Sequence, residues 1–114
     1  MERFEVETAP AGNGSGDWLV TVRGELDLAA AQRLWETLEP LLLPGVLVVL
    51  DGTAMTFLDS SGLRVLLQAH KRAESDGAVF RVIAPAPAVL RVLDLAGADK
   101  YLQLRVDVAA ALAG

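Results

Sequence analysis

The stretch Val46-Leu47-Val48-Val49-Leu50-Asp51 decides the fold class of this 114-residue chain. Its first five residues are all apolar, three of them are β-branched, and no polar residue alternates with them. A short continuous apolar run of this kind is typical of a strand that is buried on both faces. Such strands occur mainly in parallel sheets that helices cover. The stretch therefore predicts the central strand of an α/β sheet.

Strand and helix patterns precede this central strand. Period-two alternation predicts strands over residues 4–7 and 18–23, and the glycine-rich residues 9–16 between them indicate a hairpin. A helix is predicted next, with Asp27 as its N-cap and Pro44-Gly45 as its end. Its apolar positions lie on one stripe: Leu28, Ala31, Leu34, Trp35, Leu38, Leu41 and Leu42.

The pattern continues to the end of the chain. Residues 51–59 are expected to form a connection, and Ser60-Ser61-Gly62 opens a helix with its apolar stripe at Leu63, Leu66, Leu67, His70 and Ala73. Then follow a strand over 78–83, a helix from Pro85 and Pro87 to Gly97, a strand over 101–105 and a short helix over 108–112. We predict a single α/β domain over residues 1–114, a mixed β-sheet with an N-terminal hairpin followed by alternating helices and strands.

Composition excludes several classes of function. With 10 Lys+Arg against 15 Asp+Glu and a net charge of -5, the chain lacks the positive field that a nucleic-acid partner requires. The absence of cysteine excludes disulfides, thiolate metal sites and cysteine nucleophiles. Residues 1–7 do not resemble a signal peptide, and no apolar run approaches the roughly 20 residues that span a bilayer. We expect a soluble cytoplasmic protein with no membrane partner.

Three aspartates follow predicted strands, where functional groups of open α/β sheets gather: Asp27, Asp51 and Asp59. Asp51 would suit a phosphoryl-accepting receiver domain, but this chemistry needs acidic metal ligands after the first strand and a lysine after a late one. Glu7-Thr8 and Leu104-Arg105 do not supply these two sets convincingly. No glycine-rich nucleotide motif follows any strand. We therefore expect no metal and no cofactor, and Asp51 is interpreted as a structural loop acid.

Ser60 and Ser61 on a strand-to-helix turn raise the possibility of a serine hydrolase. The G-x-S-x-G motif is absent, since Leu58 and Asp59 precede the serines. His70 is the sole histidine, and it lies in the predicted helix that begins at Ser60, about 15 Å away at about 1.5 Å per residue. We therefore expect no catalytic residues and interpret His70 as a partly buried structural residue.

The last interpretation is a serine that another protein modifies. The segment Leu58-Asp59-Ser60-Ser61-Gly62-Leu63 resembles the signature of the STAS domain, the fold of anti-sigma factor antagonists and of the cytoplasmic tails of sulfate transporters. Three further stretches are similar at matching positions and in the same order: Gly24-Glu25-Leu26-Asp27, residues 46–51, and residues 93–100. Together the four stretches are spread along the chain from residue 24 to residue 100.

This resemblance implies a regulated binding protein. In the family the first serine of the motif is phosphorylated, which implies Ser60 as the site, and the kinase is the ATP-binding anti-sigma factor itself. The unmodified antagonist binds this kinase and frees the sigma factor, phosphorylation abolishes the binding, and a serine phosphatase restores it. The residues expected at the partner contact are Asp27, Asp59, Ser60, Ser61, Gly62 and Arg64.

Other interpretations of the site stay open. The hydroxyls of Ser60 and Ser61 are also suited to capping the helix, Gly62 would give room for the backbone of a partner, and Arg64 is equally compatible with a solvated side chain. Leu28-Ala29-Ala30 departs from the polar residues that relatives often carry there. The alternative function is a scaffolding module of a stress-sensing or lipid-transport complex without a phosphorylation cycle.

Overall fold

The structure, a computed structural model, describes residues 4–113. Residues 1–3, which belong to the stretch used above to argue against a signal peptide, lie outside the described residues. The strands and helices, in chain order, are β1 (Phe4–Pro10), β2 (Trp18–Leu26), α1 (Leu28–Leu38), β3 (Leu47–Leu58), α2 (Ser60–Asp76), β4 (Val79–Ile83), α3 (Pro87–Leu95), β5 (Gln103–Leu104) and α4 (Val108–Ala113).

The five strands form one mixed sheet in the order β1-β2-β3-β4-β5. β1 and β2 form the predicted antiparallel hairpin, and the other neighbouring strands are parallel. β3 is central, and Val48, Val49 and Leu50 are fully buried, as the apolar run predicts. Val48 and Leu50 belong to the main core with the helices α1, α2 and α3, whereas Val49 faces α4 on the other side of the sheet.

Helix α1 is shorter than predicted and buries a different first residue. It ends at Leu38 and is followed by a 3-10 turn over Glu39–Leu41, because Pro40 cannot donate the hydrogen bond that would continue the α-helix. The buried positions are Ala30, Ala31, Leu34 and Leu38. Leu28, placed on the buried stripe by its spacing, is 74% exposed because it starts the helix beyond the end of the sheet.

The largest departure from the prediction is in β3. Residues 51–59 were expected to form a connection, but β3 continues to Leu58, pairing with β4 only as far as Asp51 and with β2 to its end. Two register shifts, one between Thr21 and Arg23 and one between Gly24 and Glu25, each place an extra residue in β3. The last seven residues of β3 therefore form, with β2, a two-stranded extension of the sheet.

The register shifts explain why the sequence pattern does not predict this extension of β3. Its buried residues are Gly52, Met55 and Leu58, a spacing of three that is neither strand alternation nor a continuous apolar run. Asp51 lies inside the strand, and its Oδ1 accepts hydrogen bonds from the amide and the hydroxyl of Thr53 at 3.1 and 2.6 Å. Asp51 thus makes local structural hydrogen bonds, but it lies in a strand and not in the predicted loop.

The carboxyl-terminal third follows the prediction with one shorter strand. Gly97, with φ of +73°, follows the end of α3, and β5 spans two residues instead of five. Arg81 of β4 fixes this region by donating to the carbonyl of Ala111 at 2.7 Å and to Oε1 of Gln103 at 3.3 Å. Burial and the nearby Arg105 lower the pKa of Arg81 from its ordinary value.

Within residues 4–113, no helix is long and apolar enough to cross a bilayer.

The extension of β3 predicts a contrast between two adjacent substitutions. We expect Met55→Ala to lower the free energy of unfolding by about 2–5 kcal/mol, because Met55 is fully buried and its removal leaves a cavity. Thr56→Ala, at the exposed neighbouring position, is the control and should change stability by less than about 0.5 kcal/mol. Urea unfolding measures both, and equally small effects would contradict a buried strand at this position.

Candidate functional site

The site is built where two parallel strands end side by side. Leu26, the last residue of β2, is the register partner of Leu58, the last residue of β3. Each strand is followed by one aspartate in an extended conformation and then by a helix, with φ and ψ of -99° and -169° at Asp27 and of -103° and -174° at Asp59. The amide of Asp59 donates to the carbonyl of Leu26 at 3.4 Å. Two helix N-termini therefore lie next to each other at one edge of the sheet.

Both aspartates are N-caps. The amide of Ala30 donates to Asp27 Oδ1 at 3.1 Å, and the amides of Ser61 and Gly62 donate to Asp59 Oδ1 at 2.9 and 3.0 Å. The carboxylates also complement the positive ends of the two helix dipoles. Asp27 is the cap that the sequence predicts. The structure places the α2 cap at Asp59, so the interpretation of Ser60 or Ser61 as the helix cap is wrong.

Ser60 is the first residue of α2 and is exposed, whereas Ser61 is half-buried. Since Asp59 caps the helix, the Ser60 side chain is not needed for that purpose, and its hydroxyl has no hydrogen-bond partner within residues 4–113. Ser60 directly follows the cap residue Asp59, so the cap fixes the position of the first turn of α2 and of this hydroxyl. The geometry thus presents an unengaged oxygen at a fixed position.

Gly62 lies on the buried side of α2 and packs against the chain's own sheet. A Cβ atom at this position would lie 2.6 Å from the carbonyl oxygen of Leu26 and 2.7 Å from side-chain atoms of Leu26 and Leu58. The space at Gly62 is therefore used by the ends of β2 and β3. This corrects the expectation that Gly62 makes room for the backbone of a partner.

Two large apolar side chains that lie close to the helix caps in the chain are exposed. Leu28 begins α1 in the same way that Ser60 begins α2, and it is 74% exposed. Phe57, next to the last residue of β3, is 45% exposed. The sequence pattern places Leu28 on the buried stripe of α1, although the residue also departs from the family pattern, and it places Phe57 in a connection, so neither is predicted to be an exposed apolar residue. These two side chains add exposed apolar surface at the end of the sheet where Ser60 lies.

A shallow, open groove of about 880 Å³ runs along α2 from Ser60 to Ser75, and the residues that line it all belong to this helix. Leu63 and Leu67 contribute apolar surface to it, and Arg64, Lys71 and Arg72 contribute three positive charges. None of the acidic residues within 4–113 lines the groove, although the chain carries a net charge of -5. Of the groove residues, Ser60 and Arg64 are among the predicted partner contacts. The helical spacing of residues 64, 68, 71 and 72 indicates that their side chains share one face of α2.

The cations of the groove differ in how they are engaged. Arg72 forms an ion pair with Glu39 at 3.1 Å, and its guanidinium carbon lies 5.4 Å from the centre of the Trp35 ring. Arg64 and Lys71 have no ion pair or hydrogen bond in the part of the chain that the structure describes. These two side chains are available to a negatively charged partner.

The remaining candidates lie away from this surface. His70 is 6% exposed on the core side of α2, with Nε2 3.5 Å from Glu74 Oε1 and its ring edge-on to Tyr101. It is the structural residue that the sequence predicts, and it is directed away from the groove that Ser60 lines. Among residues 4–113, no group of three His, Cys, Asp or Glu residues is placed to hold a metal ion.

Comparisons with known proteins point to one family. The family model of the STAS domain matches residues 12–111. An anti-sigma factor antagonist from Mycobacterium paratuberculosis is similar in structure, with a TM-score of 0.82 and 28% sequence identity over 96% of this chain and 92% of that one. The anti-sigma factor antagonist SpoIIAA in its unphosphorylated form gives a TM-score of 0.71 at 19% identity, over 94% and 91%. Phosphorylated SpoIIAA from Bacillus gives 0.66 at 19%, over 94% and 95%.

The packing at Gly62 predicts a strong effect of a single methyl group. We expect Gly62→Ala to lower the free energy of unfolding by about 1–3 kcal/mol, because the new Cβ would overlap the backbone oxygen of Leu26. Chemical denaturation provides the measurement. Gln68→Ala, at an exposed position on the same helix, serves as the control and should leave stability nearly unchanged. A stable Gly62→Ala variant would mean that α2 is not held this closely to β2 and β3.

Proposed function

Since the chain belongs to the STAS domain family, we propose that it is an anti-sigma factor antagonist that works by partner switching. The unmodified protein binds an anti-sigma factor with serine kinase activity and so releases a sigma factor. Phosphorylation of Ser60 ends this binding, and a serine phosphatase restores it. The observation that carries the proposal is the exposed, unengaged hydroxyl of Ser60 at the start of a groove with apolar and cationic side chains.

In the proposed cycle the chain is a substrate and a binding partner, with no catalytic residue of its own. The kinase transfers the γ-phosphoryl group of ATP to Oγ of Ser60. A new O–P bond forms, the bond between phosphorus and the ADP oxygen breaks, and the hydroxyl proton passes to a base of the kinase. This chain contributes the position of the acceptor, which the Asp59 cap and the close packing of Gly62 hold in place. We place this cycle in the cytoplasm, where sigma factors act.

Two opposing electrostatic effects act on a phosphate at Ser60, and solvent and salt screen both because the residue is exposed. The group adds about -1.5 to -2 charges, and the N-terminus of α2 stabilises an anion by roughly 0.3 to 1 kcal/mol, up to about 2. Asp59 and Asp27 oppose it, each by on the order of 1 kcal/mol per unit charge at about 7 Å and an effective dielectric constant of about 40. Burying an unmatched dianion in an interface costs several kcal/mol. The modification therefore acts on the contact with the partner and little on the fold.

This balance predicts that the phosphorylated protein keeps its stability. A change of 1 kcal/mol in a domain of this size shifts Tm by about 4–8 °C, so we expect phosphoserine at position 60 to change Tm by less than about 10 °C. Differential scanning calorimetry of the modified and unmodified protein provides the comparison, with Ser60→Ala as the uncharged reference. A fall of about 10 °C or more would mean that modification acts by disrupting the fold.

The proposed switch predicts opposite behaviour of two variants at one position. We expect Ser60→Ala to capture an ATP-binding anti-sigma factor from lysate of the native host and Ser60→Asp to lose it, because the added charge lies in the contact. Mass spectrometry identifies the captured protein, which should then add one phosphate to the wild-type chain and none to Ser60→Ala. Ser75→Asp adds the same charge at the other end of the groove and is the control for a general charge effect.

Other outcomes of this experiment decide against the proposal. If Ser60→Ala and Ser60→Asp capture the same partners equally, the protein is a constitutive scaffolding module without a phosphorylation cycle. Labelling of Ser60 or Ser61 by a fluorophosphonate probe, with turnover of activated esters, would instead indicate a hydrolase. Neither result is compatible with a partner-switching antagonist.

A further inference from the structure

Ser60 and Arg64 lie one turn apart on α2, and both side chains line the same groove. Side chains at positions i and i+4 of a helix are neighbours, with Cβ atoms about 5–6 Å apart. The more favourable order for an ion pair at this spacing has the anion on the N-terminal side of the cation. A phosphate on Ser60 would have this arrangement with Arg64.

Among the three cations that line the groove, Arg64 is the one best placed to meet such a phosphate. Arg72 is already engaged by Glu39 and by the Trp35 ring, and Lys71 lies about three turns from Ser60. Arg64 is exposed, and the described residues offer it no carboxylate at ion-pair distance. The two acids at this edge, Asp27 and Asp59, accept hydrogen bonds from helix amides.

We propose that Arg64 is the intramolecular receptor of the phosphate on Ser60. A guanidinium group binds a phosphate through two parallel N–H donors, which a lysine at this position would not do. In the unmodified chain the same guanidinium is free to bind a carboxylate of the partner, beside the apolar surface of Leu63 and Leu67. Phosphorylation then weakens the contact in two ways, because it removes Arg64 from the partner and adds negative charge to the groove, of which a single guanidinium neutralises only a part.

The role in switching rests on the proposed function, whereas the ion pair can be tested without any partner. Phosphoserine is introduced at position 60 during translation, so that no kinase is required, and its second pKa is measured by ³¹P NMR. We expect this pKa to be lower in the Arg64 protein than in Arg64→Gln by about 0.3, because the pair stabilises the dianion. The difference should shrink at high salt. Equal values in the two proteins would overturn the proposal.

Matched variants separate this pair from a general charge effect. Lys71→Gln removes a cation of the same groove and Arg91→Gln removes an exposed cation of α3, and we expect both to shift the pKa by less than half as much as Arg64→Gln. A shift as large in either control would mean that the phosphate senses net charge and not Arg64. The substituted side chains are exposed, so loss of the fold should not complicate the comparison.

A second arm uses the anti-sigma factor, in a binding titration with purified proteins. Phosphorylation should weaken binding by a larger factor in the Arg64 protein than in Arg64→Gln, which has already lost the partner contact. Equal factors would overturn the role of the pair in switching. If no anti-sigma factor binds Ser60→Ala, the proposed function fails, while the ³¹P measurement still decides whether Arg64 receives the phosphate.

Discussion

The alignment of Leu26 with Leu58 brings two helix starts to the same edge of the sheet, and the site depends on this register. It sets Asp27 beside Asp59 and places Leu28 and Ser60 in equivalent positions, one residue after each cap. Gly62 lets α2 approach the carbonyl of Leu26 more closely than any side chain would allow. A slip of one residue between β2 and β3 would turn their side chains to the opposite faces and separate these groups.

The different positions of Asp59, which caps α2, and Ser60, which follows it, bear on the proposed modification. An N-cap is worth about 0.5–2 kcal/mol to a helix, and modification of a serine that served as the cap would change the oxygen that accepts this hydrogen bond. Because Asp59 supplies the acceptor for the free amides, the hydroxyl of Ser60 can change its chemistry while the helix keeps its cap. A reversible modification at the start of α2 is therefore compatible with a constant fold.

Most of the fold could be predicted from local patterns, and the exceptions have physical causes. The run at Val48, Val49 and Leu50, the hairpin and the cap at Asp27 follow from apolar periodicity and turn chemistry. The end of β3 could not be predicted in this way, because two extra residues move its buried positions out of alternation. For the site, the motif located Ser60, whereas the self-packing of Gly62 and the exposure of Leu28 depend on the neighbouring strand, which no local pattern describes.

The two helix starts also bear on how an enzyme selects its target. Asp27 and Asp59 have φ and ψ values within 5° of each other, and each is followed directly by the first residue of a helix. An enzyme that recognised the backbone shape of a capped helix start would therefore meet two similar sites on this edge. One begins with a hydrocarbon side chain and the other with an alcohol. Selection between the two sites must therefore come from side-chain chemistry and from the surface that follows each helix start. At α2 this surface is the cationic groove.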